Sequence, residues 1–205
     1  MTRPTSGSVR IIGGRWRGSK LPVPDAAGLR PTADRVRETV FNWLAPRIAG
    51  ARALDLFAGS GALGLEAASR GAAQVILVEK DPALAAALRA NADRLARTDA
   101  AKVVEVVCAD GLRWLARASD ERFDLVFLDP PFAAGLWQSA LAALEPWLAE
   151  DAWLYLEAPR EGAPAIGRQW LPHRSGETRE VRYALFRRDA ATLAQGPTRQ
   201  DPARA

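Results

Sequence analysis

The sequence predicts an α/β domain. It should form a doubly wound, mostly parallel sheet with helices on both faces and a small β-hairpin extension at the N-terminus. Three observations predict this. Short apolar runs alternate with longer helical-period segments from Arg52 to Glu157, the pattern of repeated strand–helix–strand units. A glycine-rich stretch, Gly59-Ser60-Gly61-Ala62-Leu63-Gly64, falls between the first of these strands and its helix. The chain has 205 residues, 48% hydrophobic and 25% charged, which suffices for one sizeable core.

The elements follow in order. Residues 1–8 lack periodicity and are expected to be disordered. Residues 9–23 hold two short extended stretches around Gly13-Gly14, expected as a hairpin with arginines at its tip. Pro22, Pro24, Gly28 and Pro31 mark a loop. Thr32 is an N-cap candidate for a helix in which Val36, Val40, Trp43 and Leu44 recur at helical spacing, with Pro46 near its end. Strands are expected at 53–57, 74–79, 103–108, 125–128 and 153–157. Helices are expected at 62–70, 82–95, 112–118 and 137–148, with Pro82 suited to a first turn. Stretches at 169–174 and 180–187, separated by Ser175-Gly176-Glu177, read as an antiparallel hairpin closing the sheet. Residues 190–205 read as a flexible tail. The expected organisation is therefore a basic extension over 1–31, a main domain over 32–189 and the tail.

No apolar run approaches the roughly 20 residues of a membrane helix. Residues 1–8 lack an apolar signal core, so a cytoplasmic location is expected. Cys108 is the single cysteine and His173 the single histidine. This excludes an internal disulfide and argues against a Cys/His zinc site. No metal is expected. No exposed apolar seam is evident, so a monomer is expected.

The net charge of +4 is unevenly spread. Residues 1–52 hold ten Arg or Lys and three acids, a balance of +7, and the remainder is −3. Such a segment suits a phosphate backbone; the plainer alternative is a solvated basic face. Arg10, Arg15, Arg17 and Lys20 are phosphate candidates and Trp16 a stacking candidate. Trp43, Trp114, Trp137, Trp147, Trp153 and Trp170 are expected in packing roles. His173 is expected on the hairpin surface.

Gly59, Gly61 and Gly64 satisfy G-x-G-x-x-G after a strand and before a helix, and Glu79 ends the next strand 20 positions after Gly59. This is a dinucleotide-type fingerprint, with the acid placed for a ribose diol. It does not separate a nicotinamide cofactor from S-adenosylmethionine. Asp55 adds negative charge near the turn, which suits a sulfonium and an amino group better than a pyrophosphate. The alternative is a glycine turn that packs helix on strand. Asp110 follows the third strand; it can accept a hydrogen bond from an adenine amino group, cap the next helix, or do both. Cys108 lies in a buried-looking strand and reads as core filler. Without a cysteine nucleophile, methylation at nitrogen is favoured over methylation at pyrimidine carbon 5.

Asp129-Pro130-Pro131-Phe132 ends an apolar run. Two prolines cannot continue a central strand, so the chain turns and presents a carboxylate, carbonyls and an aromatic face at one spot. An aromatic amine is a poor nucleophile because its lone pair is delocalised. Asp129 and the Pro130 carbonyl can accept its two hydrogens, draw the nitrogen toward tetrahedral geometry and aim its lone pair. Phe132 can stack on the base, which must leave its own stack or arrive unpaired. Read plainly, the same turn is a capping Asp and a buried Phe.

The chain resembles the RsmD family, bacterial guanine-N2 methyltransferases of 16S ribosomal RNA. The resemblance rests on Arg10-Ile11-Ile12-Gly13-Gly14-Arg15-Trp16-Arg17-Gly18, Leu21-Pro22-Val23-Pro24 and Gly28-Leu29-Arg30-Pro31-Thr32. It continues through Asp34-Arg35-Val36-Arg37-Glu38-Thr39 and Phe41-Asn42-Trp43-Leu44. The glycine turn and Asp129-Pro130-Pro131-Phe132 are shared more widely among amino-methylating enzymes. The resemblance implies a Rossmann-like class I methyltransferase fold with seven strands and S-adenosyl-L-methionine as donor. It also implies action on ribosomal RNA in small-subunit particles. Carried over by position, Asp55, Phe57, Gly59, Gly61, Glu79 and Asp110 bind the cofactor. Asp129, Pro130 and Phe132 hold the guanine, and Arg30, Thr32 and Arg35 border the pocket. The competing readings are an adenine 6-amino methyltransferase on DNA, a nicotinamide-dependent dehydrogenase and a non-catalytic RNA-binding assembly factor.

Overall fold

The computed structural model describes residues 7–24, 34–97 and 103–189. Strands β1 (Gly7–Arg10) and β2 (Lys20–Val23) pair antiparallel. Then come α1 (Asp34–Ile48), β3 (Arg52–Asp55), α2 (Ala62–Ser69), β4 (Gln74–Glu79) and α3 (Pro82–Ala96). They are followed by β5 (Val104–Cys108), α4 (Gly111–Leu115), β6 (Phe123–Leu128) and α5 (Trp137–Leu144). Strands β7 (Leu148–Pro159), β8 (Trp170–Glu177) and β9 (Val181–Arg188) complete the fold. The large sheet has seven strands in the order β5-β4-β3-β6-β7-β9-β8. Strands β3 to β7 pair in parallel, and β9 runs antiparallel between β7 and β8. Strand order reverses between β3 and β6, which opens a crevice at their carboxyl ends.

Period-two alternation sorts the core into two layers. Ala53, Val75, Leu77, Leu125, Phe127 and Tyr155 face Val40, Phe41 and Leu44 of α1 together with α2 and α3. Leu54, Ile76, Val126, Leu128 and Leu154 face α4 and α5. That second layer is anchored by stacked Trp114 and Trp147, 4.5 Å apart, and by the Trp147 indole N–H donating to the Leu115 carbonyl at 2.9 Å. Trp137, Trp153 and Trp170 are also buried, while Trp43 is half-buried against Tyr183.

Several expectations change. Gly7 and Ser8 are strand, paired with Val23 and Pro22. Ser175, Gly176 and Glu177 are not the turn of the last hairpin but continue β8, opposite Ala184, Tyr183 and Arg182. The reversal lies after them, closed by the Thr178 amide donating to the Val181 carbonyl at 2.7 Å. Cys108 is exposed, not core filler, because β5 is an edge strand. Trp16, expected to stack on a base, is 6% exposed in the core with Ile11 and Leu21. The Arg15 guanidinium lies 4.6 Å from its ring centroid. Arg30, Thr32 and residues 190–205 lie outside the described residues.

The N-terminal segment is held by one buried acid. Glu66 is the one charged residue of α2 and is 0% exposed. Its carboxylate accepts the amides of Ile12 at 2.8 Å and Gly13 at 2.7 Å, and the Arg70 guanidinium at 2.7 Å. Buried Arg37 lies 3.7 Å from it and donates to the Arg10 carbonyl at 2.8 Å. One turn on, Ser69 accepts the amides of Arg15 through its carbonyl and of Trp16 through its hydroxyl. Removing one member of such a buried set leaves the others uncompensated. Glu66→Ala should lower the unfolding free energy by about 3–5 kcal/mol. It should also open the segment around Arg15 and Arg17 to trypsin; denaturant titration and limited digestion check both effects.

Candidate active site

The site begins where β3 stops. The chain leaves β3 at Asp55, and the Ala58 amide donates back to the Val78 carbonyl of β4 at 2.9 Å. The Gly61 amide then closes a turn on the Ala58 carbonyl at 2.6 Å. Gly61 is the N-cap of α2 and takes φ 75°, a left-handed conformation that favours glycine. Gly64 serves close packing: a Cβ there would sit 2.2 Å from Leu77 Cδ2. The Gly64 amide donates to Asp55 Oδ2 at 2.9 Å. The glycine fingerprint thus presses α2 onto β3 and β4 and leaves the turn above them free to cradle a ligand.

Glu79 ends β4 with its carboxylate spread between two loops. One oxygen accepts the Gly59 amide at 2.8 Å and the other the Asp81 amide at 2.7 Å. Each oxygen keeps a second acceptor position, so the group can still receive two ribose hydroxyls. Asp110 is exposed beyond β5, and its Oδ1 accepts the Arg113 amide at 3.0 Å as the N-cap of α4. The capping reading therefore holds, and the carboxylate stands on the same rim as Glu79, whose carbonyl accepts the Ala109 amide. Phe57 is half-buried between the glycine turn and Gly111.

Strand β6 delivers Asp129 to this rim. Leu128 pairs with Leu156, so Asp129 and Glu157 emerge side by side from adjacent parallel strands. Neither the Asp129 carboxylate nor the Pro130 carbonyl accepts a hydrogen bond among the described residues. Pro130 is buried, and after it Phe132 enters a short 3-10 turn, 38% exposed and 5.8 Å from Trp137. An unpartnered carboxylate, an unpartnered carbonyl and an exposed aromatic ring thus share one turn. The plain reading, a capping Asp with a buried Phe, does not describe it.

The electrostatics are those of crowded acids. Burial pushes Asp55 up to about 7, against the lowering effect of the Gly64 amide and with a smaller push from Glu79. Burial also holds Asp129 well above the usual carboxylate range, helped by Glu157 and then Asp55. The Tyr155 hydroxyl is held protonated by burial and by Glu157, to which it donates at 2.8 Å. These groups fit a cationic ligand bearing ribose hydroxyls and do not fit a pyrophosphate. S-adenosylmethionine, with a sulfonium and an ammonium, matches the donor set. Among the described residues no cluster of acids, His or Cys is arranged to hold a metal ion.

The basic residues lie elsewhere. Arg15, Trp16 and Arg17 sit at the C-terminal end of α2, a helix of 8 residues. At 1.5 Å per residue that is about 12 Å from the glycine turn. Their rim is the one at which β3 begins, where the Gly50 amide meets the Gly71 carbonyl. Arg10, Arg15, Arg17 and Lys20 have exposed side chains, as does Arg35 in the first turn of α1. Three residues were missed from the sequence. Glu66 was signalled by a lone acid in an apolar helix, Glu157 by an acid ending a core strand beside the Asp129 strand. Tyr155, two residues before Glu157 on the same strand face, carried no such signal.

The profile of the family described as Conserved hypothetical protein 95 matches residues 9–187. Over 188 residues the chain is 48% identical to Ribosomal RNA small subunit methyltransferase D of Escherichia coli strain K12, covering 90% of this chain and 92% of the relative. The protein of the same name from Haemophilus influenzae is 41% identical, covering 90% and 96%. The solved structure of yhhF from Escherichia coli, described as a candidate methyltransferase, matches with TM-score 0.81 and 46% identity, covering 90% and 99%.

Asp55 makes a stability prediction with a definite sign. Its folded-state pKa of about 7 lies above the ordinary 3.8, so the folded state binds the proton more tightly. Its contribution is therefore most favourable below the ordinary value and is lost as pH rises through neutrality. Asp55→Asn, which keeps an acceptor for Gly64, should melt at a higher temperature than the wild type at pH 8 without ligand. The difference should shrink toward pH 5; melting curves at both values check this.

Proposed function

The chain belongs to the family of ribosomal RNA small subunit methyltransferase D, and from that membership we propose its reaction. It transfers a methyl group from S-adenosylmethionine to the exocyclic 2-amino group of a guanine in small-subunit ribosomal RNA. One observation carries the assignment of roles: Asp129 and the Pro130 carbonyl, both without hydrogen-bond donors among the described residues, stand beside exposed Phe132 on the rim that also bears Asp55, Glu79 and Asp110.

Glu79 receives the ribose diol, Asp110 the adenine amino group, and Asp55 faces the cationic end of the cofactor. Gly59, Gly61 and Phe57 shape the cradle. When bound, S-adenosylmethionine supplies a methyl group on a sulfonium whose carbon–sulfur bond breaks to give a neutral thioether. The rest is the chain's own work. Phe132 offers a face to a base already out of its stack. Asp129 and the Pro130 carbonyl take the two amino hydrogens and turn the nitrogen lone pair toward the electrophile. The product nitrogen is a strong acid, so its proton passes to Asp129 or to water without strong base catalysis. Positive charge beside Asp55 and Asp129 offsets their mutual repulsion and favours their ionised forms.

The substrate is read as RNA within small-subunit particles, met by a cytoplasmic monomer. Arg10, Arg15, Arg17, Lys20, Arg30, Thr32 and Arg35 are its candidate contacts. Because Arg15 and Arg17 lie on the opposite rim from Asp129, they meet phosphates distant from the reacting base. No described helix is long and apolar enough to cross a membrane.

Labelled S-adenosylmethionine should mark a guanine of small-subunit particles that lack the modification. Asp129→Ala should lower transfer at least about 100-fold while keeping cofactor affinity within a few-fold; normal turnover would remove Asp129 from the mechanism. Label appearing in DNA adenine would overturn the substrate assignment. Because Asp55, pushed up to about 7, must ionise beside the cofactor, S-adenosylmethionine affinity should rise between pH 6 and pH 8 and binding should release protons. Calorimetry in buffers of different ionisation enthalpy reads this directly.

A further inference from the structure

The Asp-Pro-Pro-Phe turn can engage any exocyclic amine on a flat ring. It does not by itself choose guanine over adenine. The neighbouring strand supplies a group that can. Glu157 lies one position beyond Leu156, the register partner of Leu128, so its side chain leaves β7 beside that of Asp129. Adjacent strands are about 4.8 Å apart. Glu157 is 8% exposed. Bonds within the described residues help to hold it: its Oε2 accepts the Tyr155 hydroxyl at 2.8 Å, and its carbonyl accepts the Trp137 indole N–H at 2.9 Å. That same Trp137 packs against Phe132, so the stacking ring and the Glu157 backbone share one support.

Two neighbouring acceptors call for two neighbouring donors. Guanine offers them on one edge: N1–H and the 2-amino group are adjacent and point the same way. Adenine offers a donor at its 6-amino group and a lone pair at N1, which would face a carboxylate oxygen. A carboxylate has about four acceptor positions on its two oxygens, and the bond from Tyr155, which orients Glu157, takes one of them.

We propose that Glu157 reads the base, accepting guanine N1–H while Asp129 and the Pro130 carbonyl accept the two hydrogens of the 2-amino group. This rests on the methyl-transfer reading above and deepens it. Asp129 acts on the reacting nitrogen, Glu157 selects the ring that carries it, and Tyr155 is a positioning residue for Glu157. A site built to bond a substrate N–H strongly rejects an analogue that lacks it.

The test uses small-subunit particles reconstituted with RNA carrying either guanine or 2-aminopurine at the modified position. 2-Aminopurine keeps the 2-amino nucleophile but has no hydrogen on N1. For the wild type, kcat/KM should favour guanine by about 100-fold or more. In Glu157→Gln the amide can turn its NH2 toward a bare N1 while its oxygen still accepts Tyr155. The preference should then fall by about tenfold or more, through poorer use of guanine and better use of the analogue. Tyr155→Phe, which loosens the carboxylate without removing it, should lower the same ratio by less. A structural role alone would depress both substrates together. A ratio in Glu157→Gln that falls less than about fivefold overturns the assignment, as does a wild type that does not distinguish the two bases. Transfer by the wild type to guanine particles upholds the enzymatic reading independently. Its absence would remove that reading and this assignment together.

Discussion

Several acids brought to one rim of one sheet are the constraint around which this structure is organised. Asp55 and Glu79 end β3 and β4, Asp129 follows β6, and Glu157 lies near the end of β7; three of the four are at most 8% exposed. Burial first, and then like charges so placed, raise the proton affinity of Asp55 and Asp129. The fold tolerates them by supplying donors to three of them. Gly64 serves Asp55, Gly59 and Asp81 serve Glu79, and Tyr155 serves Glu157. Asp129 receives none among the described residues. Under the proposed reaction, Asp129 is the acid that meets the reacting amine, and a cationic cofactor would offset the charge gathered at this rim.

The scaffold makes that arrangement repeatable. Reversal of strand order between β3 and β6 leaves their carboxyl ends uncovered by a crossover helix. Gly64 lets α2 lie close on β4. Glu66, on the same helix, reaches outward to the N-terminal segment. One helix therefore sets the cofactor turn at its start and anchors the basic extension along its last two turns, which links the position of the RNA-binding candidates to the geometry of the site.

Much of this was legible in the sequence, and for physical reasons. Core strands such as β4 and β6 declare themselves because both faces are buried, and Glu79 was findable because a fingerprint fixes its distance from Gly59. Asp129 was findable because two prolines must end a central strand. Other features depend on contacts that no local pattern encodes. Glu66 and Gly13 are 53 positions apart, so nothing local showed that this segment is tied down, and Trp16 read as a stacking surface when it is part of the core. Cys108 looked buried because its strand is apolar, but an edge strand exposes what a central one hides. The last hairpin turns later than its glycine suggested, since Gly176 occupies a strand position opposite Tyr183.

A crystal structure of the protein with S-adenosylhomocysteine would examine the arrangement most directly. The ribose hydroxyls are expected on Glu79 and the thioether sulfur facing the Asp129–Phe132 turn. A sulfur directed away from Asp129, or a ribose held by residues of another rim, would contradict the arrangement on which the mechanism depends.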